Sequence, residues 1–417
     1  NGTTAMRKAL LALLILLAIG LTIFFNVPQY VDRDMNRVLH PAPSAVSDTA
    51  IKLHERLFVA DLHDDALLWQ RDLLQRIDYG HTDLPRLLEG NVGLQVFSVV
   101  TKTPRGLNCE RNSADSDRVT LLVMAQRWPR ATWNSLLQRA LYQSEKLHKA
   151  AAASHGQLRI IKNREELAAY LKDRQQQPEQ LAGLLATEGL QPLEGQLENV
   201  DRLYDAGFRM TGLTHFFDNE VGGSAHGIDK GGLTDFGREV IARLQQKHML
   251  VDLAHASKPL IDDVLAISTQ PLVVSHTGVA GTCPGPRNLS DKHLKAIAAT
   301  GGIVGIGYWD GAVCAPSLEN IIKAIRYTVD LIGVEHVALG SDFDGATTMP
   351  FDTSALVQIT QGLLDAGFSE ADIAAIMGGN LRDLLLETLP QACSPGRAAR
   401  DTPPNGLLAL HSRAFIP

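Results

Sequence analysis

The 417-residue sequence lacks several features that would each define a particular kind of protein. It has no cluster of basic residues, and its formal net charge is -7. Because such a cluster is needed to neutralise a run of phosphates, we expect no nucleic-acid partner. It has only four cysteines, and they stand too far apart for a zinc finger, whose ligands come in close pairs. Such cysteines fit an oxidising compartment, where disulfides persist.

A long apolar run is present near the N-terminus, from Ala9 to Phe25, directly after Arg7 and Lys8. Its length and composition are those of a short membrane-spanning helix, and the preceding positive charges favour a cytoplasmic N-terminus. A cleaved signal peptide is the alternative, but no small-x-small cleavage site follows the run. We therefore predict an uncleaved, single-pass membrane anchor.

By composition, the rest of the chain consists of a linker, a main domain and a polar C-terminal tail. The last residues are rich in proline, arginine and small residues, which is typical of disorder. With the anchor uncleaved, the main domain would lie in the periplasm or the extracellular space. The predicted parts are a cytoplasmic N-terminus (1–8), a transmembrane signal anchor (9–27), a linker (28–50), the main domain (51–392) and a disordered tail (393–417).

From Leu57 onward, eight short apolar runs alternate with amphipathic segments, as expected of strand and helix units around a parallel sheet. Thr234, Ser290 and Ser317 are predicted N-caps of three of the helices. Eight units predict an α/β fold, a (β/α)8 barrel of the TIM type with a helical insertion at about 104–181, after the second strand. A doubly wound open sheet is the alternative. The predicted strands are LFVAD, VGLQVFSVV, LAGLLAT, FRMTGLT, MLVDLA, PLVVS, GGIVGIGY and HVALGS.

Ionisable residues follow six of these eight strands at the carboxyl end. In a barrel these ends converge on one rim, where the active sites of this fold lie. A lone histidine or aspartate there is more often a cap or a core residue, but the recurrence at one boundary favours a shared site. The residues are His63 and Asp65, Glu188, His215, His255, His276, and Asp342 with Asp344.

These residue types indicate a two-metal centre. His63 and Asp65 are two residues apart on an extended chain, so their side chains point to the same side and can hold one cation. Glu188 can bridge to a second cation, for which His255 and His276 supply neutral nitrogens. Imidazole and carboxylate ligands suit Zn2+, with Mn2+ or Co2+ as substitutes, and we expect two Zn2+ per chain.

Such a centre predicts amide hydrolysis without a serine or cysteine nucleophile. Two metals can share a water, lower its pKa to near neutrality and present the bridging hydroxide to a carbonyl that one metal polarises. Asp342 is the predicted acid-base group that passes the proton to the leaving amine. His215 is the predicted donor to the tetrahedral oxyanion.

The same residues lie in motifs that resemble the membrane dipeptidase (renal dipeptidase) family of zinc metallopeptidases, among the amidohydrolase-type barrels. The resemblance implies the metal ligands named above, a substrate-binding role for His215 and an acid-base role for Asp342. It adds Arg287, which would bind the substrate's C-terminal carboxylate and restrict substrates to very short peptides. The motifs are DLHDD, HTDLPRLLEGNVGLQVFSV, TEG, LTH, GLTDFGREV, VDLAH, VSHTG, RNLSD, GSDFDG and GGNLRD, between about Ala60 and Leu386.

The resemblance also implies a disulfide between Cys283 and Cys314, in agreement with a periplasmic or extracellular location. It leaves Cys109 and Cys393 without an assigned partner. Many family members are dimers, so it implies a homodimer as well.

The sequence thus predicts a zinc-dependent dipeptidase, whose substrates include dipeptides with a D-residue at the carboxyl end. Residues 216–232 differ from the corresponding loop of the family's mammalian members, so the substrate preference can differ too. In one alternative, the same centre hydrolyses another amide in a periplasmic biosynthetic or maturation step. In another, the chain is a metal-stabilised binding protein without catalysis, against which the complete set of site residues argues.

Overall fold

The computed structural model of the protein describes residues 2–39 and 45–392, and the predicted disordered tail, 393–417, lies outside them. Parallel strands form one closed sheet around a central axis. The strands are β1 (Val59–Asp64), β2 (Val92–Val99), β3 (Leu158–Ile160), β4 (Leu181–Thr187), β5 (Phe208–Gly212), β6 (Leu250–Asp252), β7 (Val273–Thr277), β8 (Ile303–Ile306) and β9 (Val337–Leu339).

Helices surround this sheet. Shorter 3-10 turns and one π-helical segment, Ala375–Gly379, complete the secondary structure of the described residues. The helices are α1 (Gly2–Met35), α2 (Asp48–His54), α3 (Leu84–Glu89), α4 (Val119–Ala125), α5 (Leu136–Ala153), α6 (Arg164–Arg174), α7 (Asn199–Asp205), α8 (Asp235–Gln246), α9 (Lys258–Ile267), α10 (Asp291–Ala298), α11 (Asp310–Val313), α12 (Leu318–Ile332), α13 (Val357–Asp365), α14 (Glu370–Ala374) and α15 (Asn380–Thr388).

Eight of the strands close the barrel. β1 pairs with β2 on one side and with β9 on the other, and β2 pairs with β4, so that no open edge separates the first strand from the last. Each predicted strand segment overlaps one barrel strand, although β1 and β7 run on past the predicted ends at Asp61 and Ser275, to Asp64 and Thr277. The predicted TIM-type barrel is therefore confirmed, and the open-sheet alternative is wrong.

Burial on both faces explains why these strands read as continuous apolar runs. Every residue of β1, β2 and β4 is buried. Side chains alternate in β1: Leu62 belongs to the same apolar cluster as Leu385 of α15, whereas the carboxylate of Asp61 accepts hydrogen bonds from Gln95 and Ser341. The alternation places apolar and polar side chains of one strand in different layers.

The insertion after β2 contains α4, α5, β3 and α6. The short strand β3 was not predicted; it pairs with the first half of β4, and β5 pairs with the second half. Three residues are too few to show a period in the sequence. The N-caps are as predicted: the hydroxyls of Thr234, Ser290 and Ser317 each accept a hydrogen bond from a backbone N–H in the first turn of the helix.

The N-terminal helix α1 is long and apolar enough to cross a membrane, judged by length and composition. It continues past Val27, where the sequence placed the end of the anchor, and runs through Pro28 to Met35. The cause is tertiary contact, since Asp32 near its end is buried and bonded to Arg71 of the barrel domain. The predicted linker therefore begins as an ordered helix.

Candidate metal centre

The ionisable residues that follow the strands converge on the carboxyl-terminal rim of the barrel. His63 lies in β1 and His276 in β7. One to three residues beyond a strand stand Asp65 (β1), Glu188 (β4), His215 (β5), His255 (β6) and Asp342 (β9), whereas Asp344 stands five residues beyond β9. All of them are buried. Their ligand atoms form three overlapping groups, in each of which the atoms lie within 4.8 Å of one another: His63, Glu188 and His276; Glu188, His215 and His255; and His63, Asp65 and Asp342.

Glu188 stands at the centre of this cluster. Its Oε1 lies 3.0 Å from Nε2 of His255, and 3.5 Å from Nε2 of both His63 and His276. Its Oε2 lies 3.2 Å from Nε2 of His215. One carboxylate thus faces four imidazoles, which is the placement that a bridging ligand needs.

His63 and Asp65 face each other beside Glu188. Nε2 of His63 lies 3.6 Å from Oδ1 of Asp65, and within the described part of the chain neither atom has a hydrogen-bond partner. Buried polar atoms are rarely left unpaired. Two such atoms aimed at one point fit a cation bound between them.

Ser275 sets the orientation of two of the histidines. Its hydroxyl donates to Oδ2 of Asp252 at 2.6 Å, and its oxygen lies 2.9 Å from Nδ1 of His276 and 3.3 Å from Nδ1 of His63. Because its only proton points to Asp252, this oxygen can only accept from the two rings, so both carry their proton on Nδ1. Nε2 of His276 then presents a lone pair to the cluster, and Nε2 of His63 does so once a cation takes the place of its proton.

Sequence reasoning missed Asp252, Ser275 and Asp61. Asp61 accepts hydrogen bonds from the backbone N–H groups of His63 and Ser341, and so joins the ends of β1 and β9 beneath the site. Each missed residue directly precedes or lies close to a predicted ligand, in DLHDD, DLAH or VVSH. That proximity is the signal that could have found them, because the second ring nitrogen of a metal-binding histidine needs a partner.

The electrostatics of the cluster favour a cation. Burial and the neighbouring Asp65 raise the pKa of Glu188 well above its usual value, and the same two causes raise the pKa of Asp342 to about 8. Burial acts to lower the pKa of His63, but the carboxylates of Asp65, Glu188 and Asp342 outweigh it and raise that pKa to about 10. Protons thus compensate the crowded carboxylates, and a divalent cation can take their place.

The other imidazoles are held neutral, the form in which histidine binds a metal. Burial lowers the pKa of His215, His255 and His276 well below the usual value. His255 needs one adjustment: its Nδ1 accepts from Nε of Arg287 at 3.3 Å, which leaves its proton on Nε2. Binding a cation through Nε2 requires that proton to move to Nδ1 and the Arg287 contact to break. With that change, three imidazoles and two carboxylates fit a zinc pair.

Arg287 reaches the cluster from the loop after β7. Its Nη2 donates to the backbone oxygen of His276 at 3.0 Å, and its guanidinium carbon lies 4.8 Å from the ring centre of Trp309. Its Nη1 is buried and has no hydrogen-bond partner among the described residues. One arm of the guanidinium is therefore available to an anion in the cavity beside it.

A disulfide joins Cys283 to Cys314, with the two Cα atoms 5.5 Å apart. It connects the loop that carries Arg287 to the segment after β8, and both of these segments line the cavity. Cys109 is exposed and has no disulfide partner in the described part of the chain, and Cys393 lies outside it.

His226 also lines the cavity, although the sequence gave no reason to assign it a role. Its Nδ1 donates to the backbone oxygen of Cys109 at 2.7 Å, and its Nε2 is buried without a partner among the described residues. Burial lowers its pKa to about 4, so Nε2 is a hydrogen-bond acceptor at neutral pH. The residue belongs to segment 216–232, and only the folded loop brings it to the cavity.

Backbone conformation marks three of the strand-end residues. His255, Asp342 and Asp344 have φ angles of 62°, 65° and 58°, in the left-handed region that residues with a Cβ rarely adopt. Such strain persists where the surrounding structure imposes it, and it is concentrated at functional sites.

A closed (β/α)8 barrel with imidazoles and carboxylates gathered at its carboxyl-terminal rim is the framework of a metal-dependent hydrolase. A sequence model of one such family, the membrane dipeptidases (peptidase family M19), matches residues 47–388. The chain belongs to this family of metallopeptidases, and it is a peptide-bond hydrolase.

Individual relatives agree with this assignment. The chain is 28% identical over 351 residues to a protein named dipeptidase aclJ from Aspergillus oryzae, an alignment that covers 79% of this chain and 78% of the relative. Among solved structures, the probable dipeptidase PvdM from Pseudomonas aeruginosa is similar with a TM-score of 0.68 at 19% identity, covering 82% of this chain and 98% of its own. A metallopeptidase from Rhodobacter sphaeroides, solved with a phosphinate mimic of the dipeptide L-Ala-D-Ala, has a TM-score of 0.63 at 23% identity and covers 80% and 99%. The two structures support the barrel fold.

Proposed function

We propose that the protein is a zinc-dependent dipeptidase that hydrolyses dipeptides, including those with a D-residue at the carboxyl end. The observation that carries the proposal is the position of Glu188, whose two oxygens lie 3.0 to 3.5 Å from four imidazoles. The family supports peptide hydrolysis, and the Rhodobacter structure supports a D-residue because it holds a mimic of L-Ala-D-Ala.

The chain's own residues would hold two zinc ions. His63 and Asp65 would hold the first ion, His255 and His276 would hold the second, and Glu188 would be shared between them. Bound there, zinc would activate a water molecule and polarise the scissile carbonyl.

The residues around the proposed ions perform the proton and charge steps. Asp342 takes a proton from the attacking water and delivers it to the leaving nitrogen. His215 donates a hydrogen bond to the oxygen that becomes negative in the tetrahedral state. Arg287, through Nη1, which has no hydrogen-bond partner among the described residues, binds the carboxylate at the C-terminus of the dipeptide and so sets the substrate's length.

We also propose that α1 anchors the enzyme in a membrane, with the catalytic domain on the periplasmic or extracellular side. The support is the apolar length of α1 and the pair of basic residues, Arg7 and Lys8, near its beginning. The disulfide between Cys283 and Cys314 agrees with an oxidising compartment.

The direct test uses the full-length protein in a mild detergent. Dialysis against a chelator should abolish hydrolysis of Ala-Ala and Gly-D-Phe, and zinc should restore it, with close to two ions bound per chain. Activity that survives complete metal removal would contradict the proposal.

Replacement of the acid-base residue separates chemistry from metal binding. Asp342→Asn should reduce kcat by about 10²-fold to 10⁴-fold, the usual contribution of general acid-base catalysis, while the metal content stays near two. Asp330→Asn removes an aspartate that is 64% exposed on α12, and it should leave kcat unchanged. Full activity in the Asp342 variant would remove this residue from the mechanism.

One observation favours the second candidate function, the hydrolysis of a larger amide in a biosynthetic or maturation step. The cavity over the cluster has a volume of about 1100 Å³, which exceeds the range of about 300 to 1,000 Å³ that is typical of small-molecule sites. A dipeptide would leave much of it unfilled. Negligible turnover of a broad dipeptide panel by zinc-loaded protein would favour this candidate.

A further inference from the structure

The residues that line the cavity over the candidate metal centre fall into a polar group and an apolar group. The polar group contains the cluster residues Asp65, Glu188 and His255 together with Arg287. The apolar group, which we call the apolar annex, consists of Phe24, Val27 and Val31 of α1, Leu121 and Leu122 of α4, and Trp69; Val31, Leu122 and Trp69 pack in one apolar cluster. Water finds few hydrogen-bond partners beside these apolar side chains, whereas an apolar group of a ligand is stabilised when it is buried against them.

Helix α1 forms one wall of the annex, and buried ion pairs join it to the barrel domain. Arg71 donates from Nε and Nη2 to Asp32 of α1 at 2.7 and 2.8 Å, and from Nη1 and Nη2 to Asp344 at 2.7 and 2.8 Å. Asn36, just after α1, accepts from the backbone N–H of Ala346 at 2.9 Å. These contacts tie α1 to the segment that carries Asp342, so the annex and the proposed acid-base residue share one support.

The part of the annex that α1 contributes lies outside the domain shared by the family. The residues that match the family begin at 47, whereas α1 ends at Met35. The part of α1 that lines the annex follows directly on its membrane-length apolar portion. A substrate with a long apolar group would therefore find a continuous apolar surface between a bilayer and the metal centre.

The positions of Arg287 and Trp69 give the direction in which a substrate would lie. Arg287 contacts His255, His276 and Trp309 at one border of the cluster. Trp69 follows Asp65 by four residues and donates from its ring nitrogen to the backbone oxygen of Asp344, on the annex side. A substrate whose carboxylate is held by Arg287 would extend its acyl part, on the other side of the scissile bond, toward the annex.

We infer that the preferred substrates are amphiphilic amides of an amino acid with a free carboxylate, whose acyl part carries a long apolar chain that occupies the annex. The inference rests on the proposed function and specifies its substrate class. Water adds across the amide C–N bond, the acyl carbon keeps the hydroxyl oxygen as a carboxylic acid, and the nitrogen takes the proton and leaves as the free amino acid.

The test compares Ala-Ala with 2-aminododecanoyl-alanine on the full-length, zinc-loaded protein in phospholipid nanodiscs. We expect kcat/KM to be at least about tenfold higher for the long-chain substrate, since every buried methylene adds to transition-state binding. Leu121→Asp places a charge in the annex at a side chain that is 53% exposed, so folding should be unaffected, and the ratio of the two kcat/KM values should fall at least about tenfold. Ile51→Asp, at a 41% exposed position away from the cavity, should keep the wild-type ratio.

Equal kcat/KM values for the two substrates in the wild type, or the same ratio in Leu121→Asp and Ile51→Asp, would overturn the inference and leave the dipeptidase proposal standing. If neither substrate is hydrolysed, the proposed function fails, and the annex is then tested by binding. N-dodecanoyl-alanine with a diazirine at the chain end should crosslink to residues 24–31 and 119–125. Crosslinks found only elsewhere, or crosslinks here that excess unlabelled compound does not suppress, would overturn it.

Discussion

Ser275 is a side chain outside the proposed ligand set that orients two of the proposed ligands. It contacts Nδ1 of His63 and of His276 and is itself bonded to Asp252. Removal of its hydroxyl leaves two ring protons without an acceptor and frees both rings to turn.

Ser275→Ala should therefore weaken zinc binding by about 10-fold to 100-fold, the usual effect of losing such an orienting group. Competition with a chromophoric chelator would measure the dissociation constant. Ser98→Ala removes another buried serine, whose hydroxyl has no partner among the described residues, and should leave zinc affinity unchanged. Equal affinities in the two variants would show that Ser275 has no orienting role.

Lys146 is a half-buried lysine of α5 whose ammonium group lies beneath the loop after β1. Its Nζ donates to the backbone oxygens of Leu67 and Trp69 at 2.6 and 2.7 Å. Burial, with a contribution from Arg71, lowers its pKa to about 7. Since an unfolded lysine has a pKa of about 10.4, the unfolded chain binds more protons between these two values, and stability should rise with pH across that interval.

Comparison with Lys146→Met would isolate this effect. From pH 7 to pH 10, wild type should gain stability over the variant on the order of a few kcal/mol, measured by urea unfolding in detergent. Lys149→Met removes an exposed lysine from the same helix and should follow wild type. A stability difference between wild type and Lys146→Met that does not change with pH would show that the lysine is already charged in the folded state.

Among the helices, α1 is an element that lies outside the barrel and is attached to it. Its last turns are joined to the barrel by the buried group of Asp32, Arg71 and Asp344. Burial raises the pKa of Asp32; burial acts in the same direction on Asp344, but Arg71 outweighs it and lowers the pKa of that residue. Arg71 therefore compensates one carboxylate from each element.

Loss of Arg71 should lower the free energy of unfolding far more than loss of an exposed arginine. Arg71→Met leaves two buried carboxylates uncompensated and should lower the free energy of unfolding by about 3 to 5 kcal/mol. Arg33→Met removes the exposed pair with Asp78 and should cost less than about 1 kcal/mol. Denaturant unfolding of both variants would measure the difference, and similar losses would mean that α1 is held mainly by its apolar contacts.

For the whole molecule, zinc should act as a stabilising ligand. The carboxylates of the centre come from β1, β4 and β9, and the imidazoles from β1 and β5 to β7, so a bound metal pair would connect strands around the barrel. A ligand that binds only the folded state stabilises it by about 2.7 kcal/mol at a hundredfold excess over its dissociation constant.

Calorimetry of the chelated protein should therefore show a Tm that rises on addition of zinc. An equal concentration of Mg2+, which prefers oxygen ligands in octahedral geometry, should raise it much less. Equal shifts with the two ions would indicate nonspecific binding in place of a zinc centre.

Much of the fold could be predicted because its signals are local. Each barrel strand is a short apolar run with both faces buried, and three helix starts carry a capping hydroxyl, so periodicity and single residues locate them. The candidate site followed from one rule, that the carboxyl ends of parallel strands meet on one rim. His63, Glu188 and His276 are therefore close in space although they are distant in sequence.

The roles of Ser275, Asp252 and His226 could not be predicted from the sequence, because they depend on contacts between distant segments that form only when the barrel closes. Ser275 and Asp252 became part of the site only when β6 and β7 lay side by side, and His226 reached the cavity only through the path of its loop. The sequence alone determined that α1 is apolar and long, since hydropathy is a property of each residue. Only the tertiary structure placed its last turns beside the cavity over the candidate metal centre, because the buried ion group that holds them joins residues from three separate parts of the chain.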